Sequence, residues 1–448
     1  MRAQRILAGV LRSPTLAAAA ALALRIIVLW LSHRGEDPAY PRLDTVGLEA
    51  HLVASSLAAG KGFFGPFPRY QTLTAWVAPV YPFVWAIGEK LFHLTFYSSM
   101  IFAQAINCAF SAATCWPIFG IGAKVFSRKI GLASAWLWVF LPYAVLFPLE
   151  WTWDQSLSAL LLAVIVYITL TLRQSGPSLA ITGYALLWAL AALTNPTLCI
   201  LLPFLLGWSM LRRGAFGGLS PASAAKVIAI FILALAPWTI RNYYALDGLV
   251  FVKSNFGMEL WLGNNPAVKE IYSPELHPMV NTRELIPLIL NGEPNYNRQK
   301  QREAIAFIEA HPRLFLNNVF ERFKDTWSAT YDSREEPWII ALRAGRLDVW
   351  FCVLFSVVSC AGMIFALRSD WQDALPMAMS LLLFPIPYYI THSALRYRHP
   401  IDPFLAIFAT YAIASLWRAL AAPRRDETAA PQRAPREEFE SVSVGREP

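Results

Sequence analysis

The chain has 448 residues, 56% of them hydrophobic and 15% charged, with a mean hydropathy of +0.42, and no water-soluble core hides that much apolar surface. The composition therefore predicts a polytopic membrane protein, and the continuous rather than alternating apolar runs exclude a spanning β-barrel. The formal charge of +8 argues against a nucleic-acid partner, because its Lys and Arg residues gather in short patches at the ends of apolar runs, where they report topology. Five cysteines (Cys108, Cys115, Cys199, Cys352 and Cys360) lie in apolar stretches without CxxC spacing, so neither a zinc site nor a disulfide framework is expected.

The first apolar run, Pro14 to Trp30, follows the basic start MRAQR and lacks a small-residue cleavage site, which predicts an uncleaved span. It carries Arg25, a charge that must snorkel or find partners inside a bundle. A first outer loop over 33–96 follows, predicted to hold a short helix ending at Gly60. Residues 76–94, with Pro79, Pro82, Glu89 and Lys90, read as a juxtamembrane or re-entrant helix. Further apolar runs fall near 97–125, 130–149, 155–172, 178–194, 196–211, 226–244, 347–367, 374–393 and 401–418. With the N-terminus inside and 76–94 not spanning, the inner connections carry Arg128 and Lys129, Arg173, Arg212 and Arg213 with Lys226, Arg368, and Arg418 with Arg424 and Arg425. Every one is basic, as the positive-inside rule requires, which gives about ten spans with both termini cytoplasmic.

The expected organisation is an N-terminal membrane domain over 1–244, an extracytoplasmic segment over 245–346, C-terminal membrane helices over 347–420 and a disordered cytosolic tail over 421–448. Residues 245–345 have 11 Lys and Arg against 13 Asp and Glu. Within it Leu316, Val319, Phe320, Phe323 and Trp327 recur at helical spacing, a stripe expected to pack on the membrane domain or the bilayer surface.

Chemistry is expected where charged groups meet the outer face. In RGEDPAYPRLDTVGLEAHLVASS, Asp44 stands before the short helix, and Glu49 and His51 stand within it. Asp44 suits an N-cap as well as a functional carboxylate, while Glu49 gains only a replaceable first-turn benefit from the helix dipole. Asp154, in PLEWTWDQSLSALLL, sits where one span ends and the next begins. Two carboxylates at one membrane face suit a general base and a group that orients it. Arg241 in PWTIRNY, with Arg396 and Arg398 in HSALRYRHPIDP, are expected at the same face, where guanidinium groups either bind phosphate or anchor helices at the headgroups. His51, His392 and His399 add polar groups but no metal-ligand spacing, so no metal site is assigned; a divalent ion remains compatible with the acids without being indicated. Asn264 and Asn265 read as a turn before Pro266.

These pieces, taken in order, resemble the GT-C superfamily of polytopic glycosyltransferases, in particular the bacterial protein-mannosyltransferase-like and aminoarabinose-transferase-like branch. The resemblance rests on LEAHLVASSLAAGKGFFGPF, TAWVAPVYPFVWAIGEKLF, WTWDQSLSALLL, ALAALTNPTLCILLP, APWTIRNYYALDGLVFVKSNFGMELWLGNNP and RYRHPIDPFLAI, which cover most of the membrane domain. It implies an all-α membrane fold with juxtamembrane helices and a polyprenyl-phosphate-linked sugar as donor. It also implies transfer to a glycan, lipid or protein acceptor on the outer face of the cell (inner) membrane, with inversion at the anomeric carbon. The presumed base would be Asp44 or Glu49, Asp154 would organise the site, and Arg241, Arg396 and Arg398 would hold the donor phosphate with polar support from His51 and His399. No cofactor is implied. The chain departs from the family's common pattern in two places: the only adjacent acids in the first loop are Glu36 and Asp37, and Asn195 stands before Pro196 where relatives often carry Lys or Arg. A lipid transporter or flippase lined by the same charges, and a catalytically silent scaffold, are the alternatives from other classes.

Overall fold

The computed structural model describes residues 13–34, 47–150, 152–172, 178–212, 218–268, 271–330 and 347–421. Among them the chain is helical, without a named strand; two isolated bridges, Phe64 with Leu73 and Phe67 with Tyr70, fold the loop after the first short helix. Asp44, the adjacent acids Glu36 and Asp37, Arg173, Arg213, Asp332, Glu335, Glu336 and the tail from 422 lie outside the described residues.

Five helical stretches are long and apolar enough to cross a membrane: Pro14–Ser32, Phe96–Val125, Pro221–Leu246, Val349–Ile390 and Leu395–Ala421. A sixth forms if Arg128–Phe140 and Pro142–Glu150, bent by 46° at Leu141, make one span. The other expected spans, at 155–172, 178–194 and 196–211, coincide with shorter apolar helices, Gln155–Thr171, Ser178–Thr194 and Pro196–Leu211. The two expected at 347–367 and 374–393 fall on one long helical run interrupted at Asp370 (φ −149°, ψ 82°). The protein is thus an all-α membrane protein, with five helices of full spanning length among the described residues and the other expected apolar runs on shorter, bent or joined helices. At 1.5 Å per residue, a helix of about 17 residues is somewhat shorter than a hydrocarbon core of roughly 30 Å.

In chain order, α1 is Pro14–Ser32, α2 Leu48–Ala58, α3 Val80–Phe92, α4 Phe96–Ala113, α5 Cys115–Val125, α6 Arg128–Phe140, α7 Pro142–Glu150 and α8 Gln155–Thr171. Helix α1 packs against α4, α5, α6 and α7 through a strip of small residues, Ala17, Ala18 and Ala21. Arg25 is fully buried there: Nε donates to Ser111 Oγ at 3.0 Å and the Ala144 carbonyl at 2.8 Å, and the two terminal nitrogens donate to the Ala21 and Trp138 carbonyls. It therefore cross-links its neighbours instead of snorkelling, as a charge inside a bundle must. Helices α5 and α6 approach so closely that a β-carbon at Gly122 would lie 2.7 Å from Gly131 Cα, which explains two glycines at that crossing.

Helix α3 has 13 residues and ends at His93 in the left-handed conformation, too short to span. It packs on α2 and α4, so the first loop forms a small layer over the end of the bundle. The chain then continues through α9 Ser178–Thr194, α10 Leu202–Leu211, α11 Pro221–Leu246, α12 Phe256–Gly263, α13 Thr282–Ala310 and α14 Pro312–Ser328. After them come α15 Leu347–Leu383, α16 Ile386–Ile390 and α17 Asp402–Ala421, with a short 3-10 turn, Leu395–Ile401, before α17.

Within the stripe on α14, Trp327 packs on the bundle core, its indole N–H donating to Tyr389 Oη at 2.8 Å. Leu316, Phe320 and Phe323 are exposed, whereas Asn318, Arg322, Asp325 and Thr326 are buried. Arg322 anchors the buried face: it donates to the carbonyls of Ile271 (3.1 Å), Tyr389 (3.2 Å), Ile390 (3.0 Å) and Gly263, tying α14 to the ends of α12 and α16. Asn264 and Asn265 make the expected turn, with Asn264 Nδ2 donating to Leu260 and Ile390 carbonyls and Asn265 Oδ1 accepting from the Ala267 amide.

Candidate active-site cavity

A cavity of about 1020 Å³ lies where α2, the start of α8, the turn after α9, the stretch 249–259 and the region 387–400 converge. Its polar wall holds three carboxylates, Glu49, Asp154 and Glu259, with Lys253, Arg396, His277 and His392; Tyr81, Trp153, Tyr272, Tyr388 and Tyr397 supply flat aromatic surface. A pocket of this size with few convergent polar groups is the usual form of a ligand site.

Glu49 lies in the first turn of α2, whose N-cap, Gly47, donates its backbone N–H to Thr152 Oγ1 at 2.8 Å. That bond, with a close approach in which a β-carbon at Gly47 would strike the Thr152 carbonyl, fixes α2 against the loop that carries Asp154. Glu49 is buried, and Oε1 lies 3.4 Å from His277 Nε2. Burial, reinforced by the neighbouring Glu259 carboxylate, pushes its pKa up to about 8, against the opposing pull of Lys253 and Arg396.

Asp154 caps α8 by position, but its side chain makes no bond to the helix backbone. Its Oδ2 instead accepts from Ser158 Oγ at 2.8 Å, and burial raises its pKa despite that bond and the nearby Lys253 and Asn195. The bond to Ser158, rather than an N-cap to the helix backbone, holds this carboxylate in the wall.

Glu259 on α12 is the most ionised of the three. Burial would raise it, but the hydrogen bond and charge of His392, whose Nε2 is 2.6 Å from Oε2, outweigh that and hold its pKa at about 2, with help from Lys253 and His277. Asn255 Nδ2 donates to its other oxygen at 2.6 Å. His392 is flanked by Tyr272, stacked at 4.9 Å, and Tyr397, tilted at 5.6 Å. Lys253 acts electrostatically on all three acids, which marks it as the positive centre of the wall. Arg396 lies over the Tyr397 ring at 5.0 Å.

Of the residues that the sequence singles out, Glu49, Asp154 and Arg396 meet at this cavity. Others are placed away from it. Arg241 donates to the carbonyls of Thr74 (2.6 Å) and Phe63 (3.0 Å) and lies over the Phe63 and Trp238 rings, pinning the first loop to the end of α11. Arg398 is buried in an ion pair with Asp402 at 3.0 Å, and His399 Nδ1 reaches the other oxygen of the same carboxylate at 3.1 Å. His51 faces α3, 3.3 Å from Glu89 and packed on Trp85 and Phe96. Lys253, Glu259 and His277 are not singled out by sequence reasoning, and His392 stands out only as a polar group; the one available signal is a Lys and a Glu inside the otherwise apolar run LVFVKSNFGMELWLG.

No protein-family model matches the sequence, and no curated protein matches it. Solved structures do. An Archaeoglobus fulgidus oligosaccharyltransferase tethered with an acceptor peptide containing the NVT sequon matches at TM-score 0.54 and 14% identity over 92% of this chain and 50% of its own. The oligosaccharyltransferase AglB from the same organism, in complex with an inhibitory peptide and a dolichol-phosphate, matches at TM-score 0.52 and 14% identity over 95% and 52%. An oligosaccharyltransferase complex from that organism with Zn and sulfate matches at TM-score 0.51 and 13% identity over 91% and 49%. The chain spans about half the length of these structures, and the likeness establishes a shared fold. Among the described residues no three His, Cys, Asp or Glu side chains converge as a metal-binding set.

Proposed function

We propose that the protein is a membrane glycosyltransferase that moves a sugar from a polyprenyl-phosphate-linked donor to an acceptor hydroxyl on the extracytoplasmic face. One observation carries the reading: acids from the first loop and from the start of α8 share a single cavity with Lys253 and Arg396, in a fold shared with an oligosaccharyltransferase bound to a dolichol-phosphate. Glu49 takes the proton of the acceptor hydroxyl. The oxygen attacks the anomeric carbon from the face opposite the phosphate, the carbon–oxygen bond to phosphate breaks, and its electron pair leaves on the phosphate, which Lys253 and Arg396 neutralise. Asp154 and Asn195 hold sugar hydroxyls, and the tyrosine-lined part of the cavity receives the start of the isoprenoid chain.

The donor proposed is a polyprenyl-phosphate monosaccharide, as in the protein-mannosyltransferase-like and aminoarabinose-transferase-like branch that the sequence resembles. An isoprenoid donor also explains why such a site is built into a membrane protein, since the chain is insoluble in water. Membranes containing the protein, supplied with radiolabelled sugars on polyprenyl phosphate, test it: label recovered in a new acceptor supports transfer. Movement of intact donor across the bilayer without transfer replaces it with the transporter reading.

A further inference from the structure

His277 is joined to Glu49 in a way that fixes which of its nitrogens carries the proton. Its Nδ1 accepts the backbone N–H of Met279 at 3.2 Å, so in the neutral ring the proton must sit on Nε2. That nitrogen lies 3.4 Å from Glu49 Oε1. The ring packs edge-on against Phe67 (5.7 Å) and Trp76 (5.9 Å). We propose that His277 is a positioning residue: locked by the Met279 amide in the Nε2–H tautomer, it holds one oxygen of Glu49 and leaves the other to take the acceptor's proton.

The assignment rests on Glu49 being the base. It follows the logic by which a fixed donor orients a catalytic partner without itself exchanging a proton with substrate. Burial supports it by lowering the pKa of His277 to about 4, with His392 acting in the same sense and Glu259 opposing, so the ring is neutral at physiological pH. A neutral donor suits this place. A histidine that gained its own proton would have to turn Nδ1 away from the Met279 amide, whereas an Nε2–H favours the ionised form of Glu49 at no cost in added charge. The groups facing this pair from the packed elements are Glu259 on α12, Lys253 before it, and His392 and Arg396 in the region before α17. Because His277 and Glu49 both feel Glu259, and Trp76 also donates towards Glu49, the lost donor is identified by comparing a replacement that lacks an N–H with one that restores it.

The test is the pH profile of sugar transfer by full-length protein in nanodiscs, for wild type, His277→Phe and His277→Gln. Phenylalanine keeps the aromatic packing without a donor; glutamine restores an N–H. His277→Phe is expected to move the rising limb of kcat/KM to higher pH by about one unit and to lower kcat/KM at pH 7 about tenfold, with His277→Gln recovering part of both. An equal loss at every pH, unrelieved by glutamine, assigns His277 a merely structural role and overturns the proposal. Nitrogen NMR of histidine-labelled protein gives an independent reading: His277 protonated on Nδ1 also overturns it, whatever the activity. If Glu49→Gln retains full transfer while His277 shows the Nε2–H tautomer, the base assignment has failed rather than the tautomer lock.

Discussion

Glu259 Oε2 lies 2.6 Å from His392 Nε2, and this contact joins α12 to a segment 133 residues away in sequence. It braces the cavity wall and keeps Glu259 ionised beside Lys253. Replacing His392 with Ala leaves Glu259 buried without its main partner, so its pKa rises. A carboxylate held near 2 in the folded protein stabilises it at pH above the unfolded value of about 4.5, and that contribution fades as pH falls from 4.5 towards 2. His392→Ala should therefore lower the melting temperature at pH 7, with the gap to wild type narrowing as the pH is taken below about 4. Thermal unfolding in detergent across that range checks it.

Glu49 behaves in the opposite sense. Its pKa, raised to about 8 chiefly by burial, means that folding favours the protonated acid, so its contribution is complete below about pH 4.5 and is lost as pH rises through 8. Glu49→Gln, which mimics the neutral acid, should match wild type in stability at about pH 4 and exceed it at about pH 9, with about 1.4 kcal/mol for every tenfold change in proton affinity on folding. Equal stability at both pH values would show that Glu49 is not held in this environment.

Arg322 supplies the tie between α14 and the ends of α12 and α16. Arg322→Met removes donors from four carbonyls, Gly263, Ile271, Tyr389 and Ile390, and should destabilise the protein by about 3 kcal/mol or more, because buried acceptors are left unpaired. The melting temperature in detergent should fall by several degrees, whereas Phe320→Ala, on the exposed face of the same helix, should leave it nearly unchanged.

Gly263 is needed for close approach rather than for backbone freedom. A β-carbon there would overlap the Thr391 carbonyl oxygen, next to His392. Gly263→Ala should push α12 away from that segment, weaken the Glu259–His392 contact and reduce transfer while the remaining helices stay folded. Activity together with circular dichroism separates local displacement from global loss.

Much of this arrangement is legible in the sequence, and the reason is periodicity and charge placement. Glu49 and Asp154 stand out because carboxylates beside long apolar runs need a reason to be there, and Arg396 shares that signal. The same signal misplaces Arg241 and Arg398: a guanidinium that ties a loop to carbonyls and one that grips a ligand are identical in composition, and only their partners, Phe63 and Thr74 or Asp402, distinguish them. Lys253, Glu259 and His277 are close in sequence, yet their meeting with Glu49 and His392 depends on tertiary folding that no local spacing records. The α14 stripe is legible as a helix, but which face turns inward is decided by Arg322, whose four carbonyl partners come from distant segments. Asp44 lies outside the described residues, so of the two candidate bases Glu49 is the one whose surroundings the structure defines.

The most direct measurement is transfer of radiolabelled sugar from polyprenyl-phosphate donors by nanodisc-embedded wild type, Glu49→Gln and Glu49→Asp, each matched for amount and melting behaviour. Glu49→Gln should lose transfer by about a hundredfold or more, with Glu49→Asp retaining a measurable fraction, as expected for a displaced base. Wild-type transfer that Glu49→Gln leaves intact would contradict the assignment of the proton to this carboxylate.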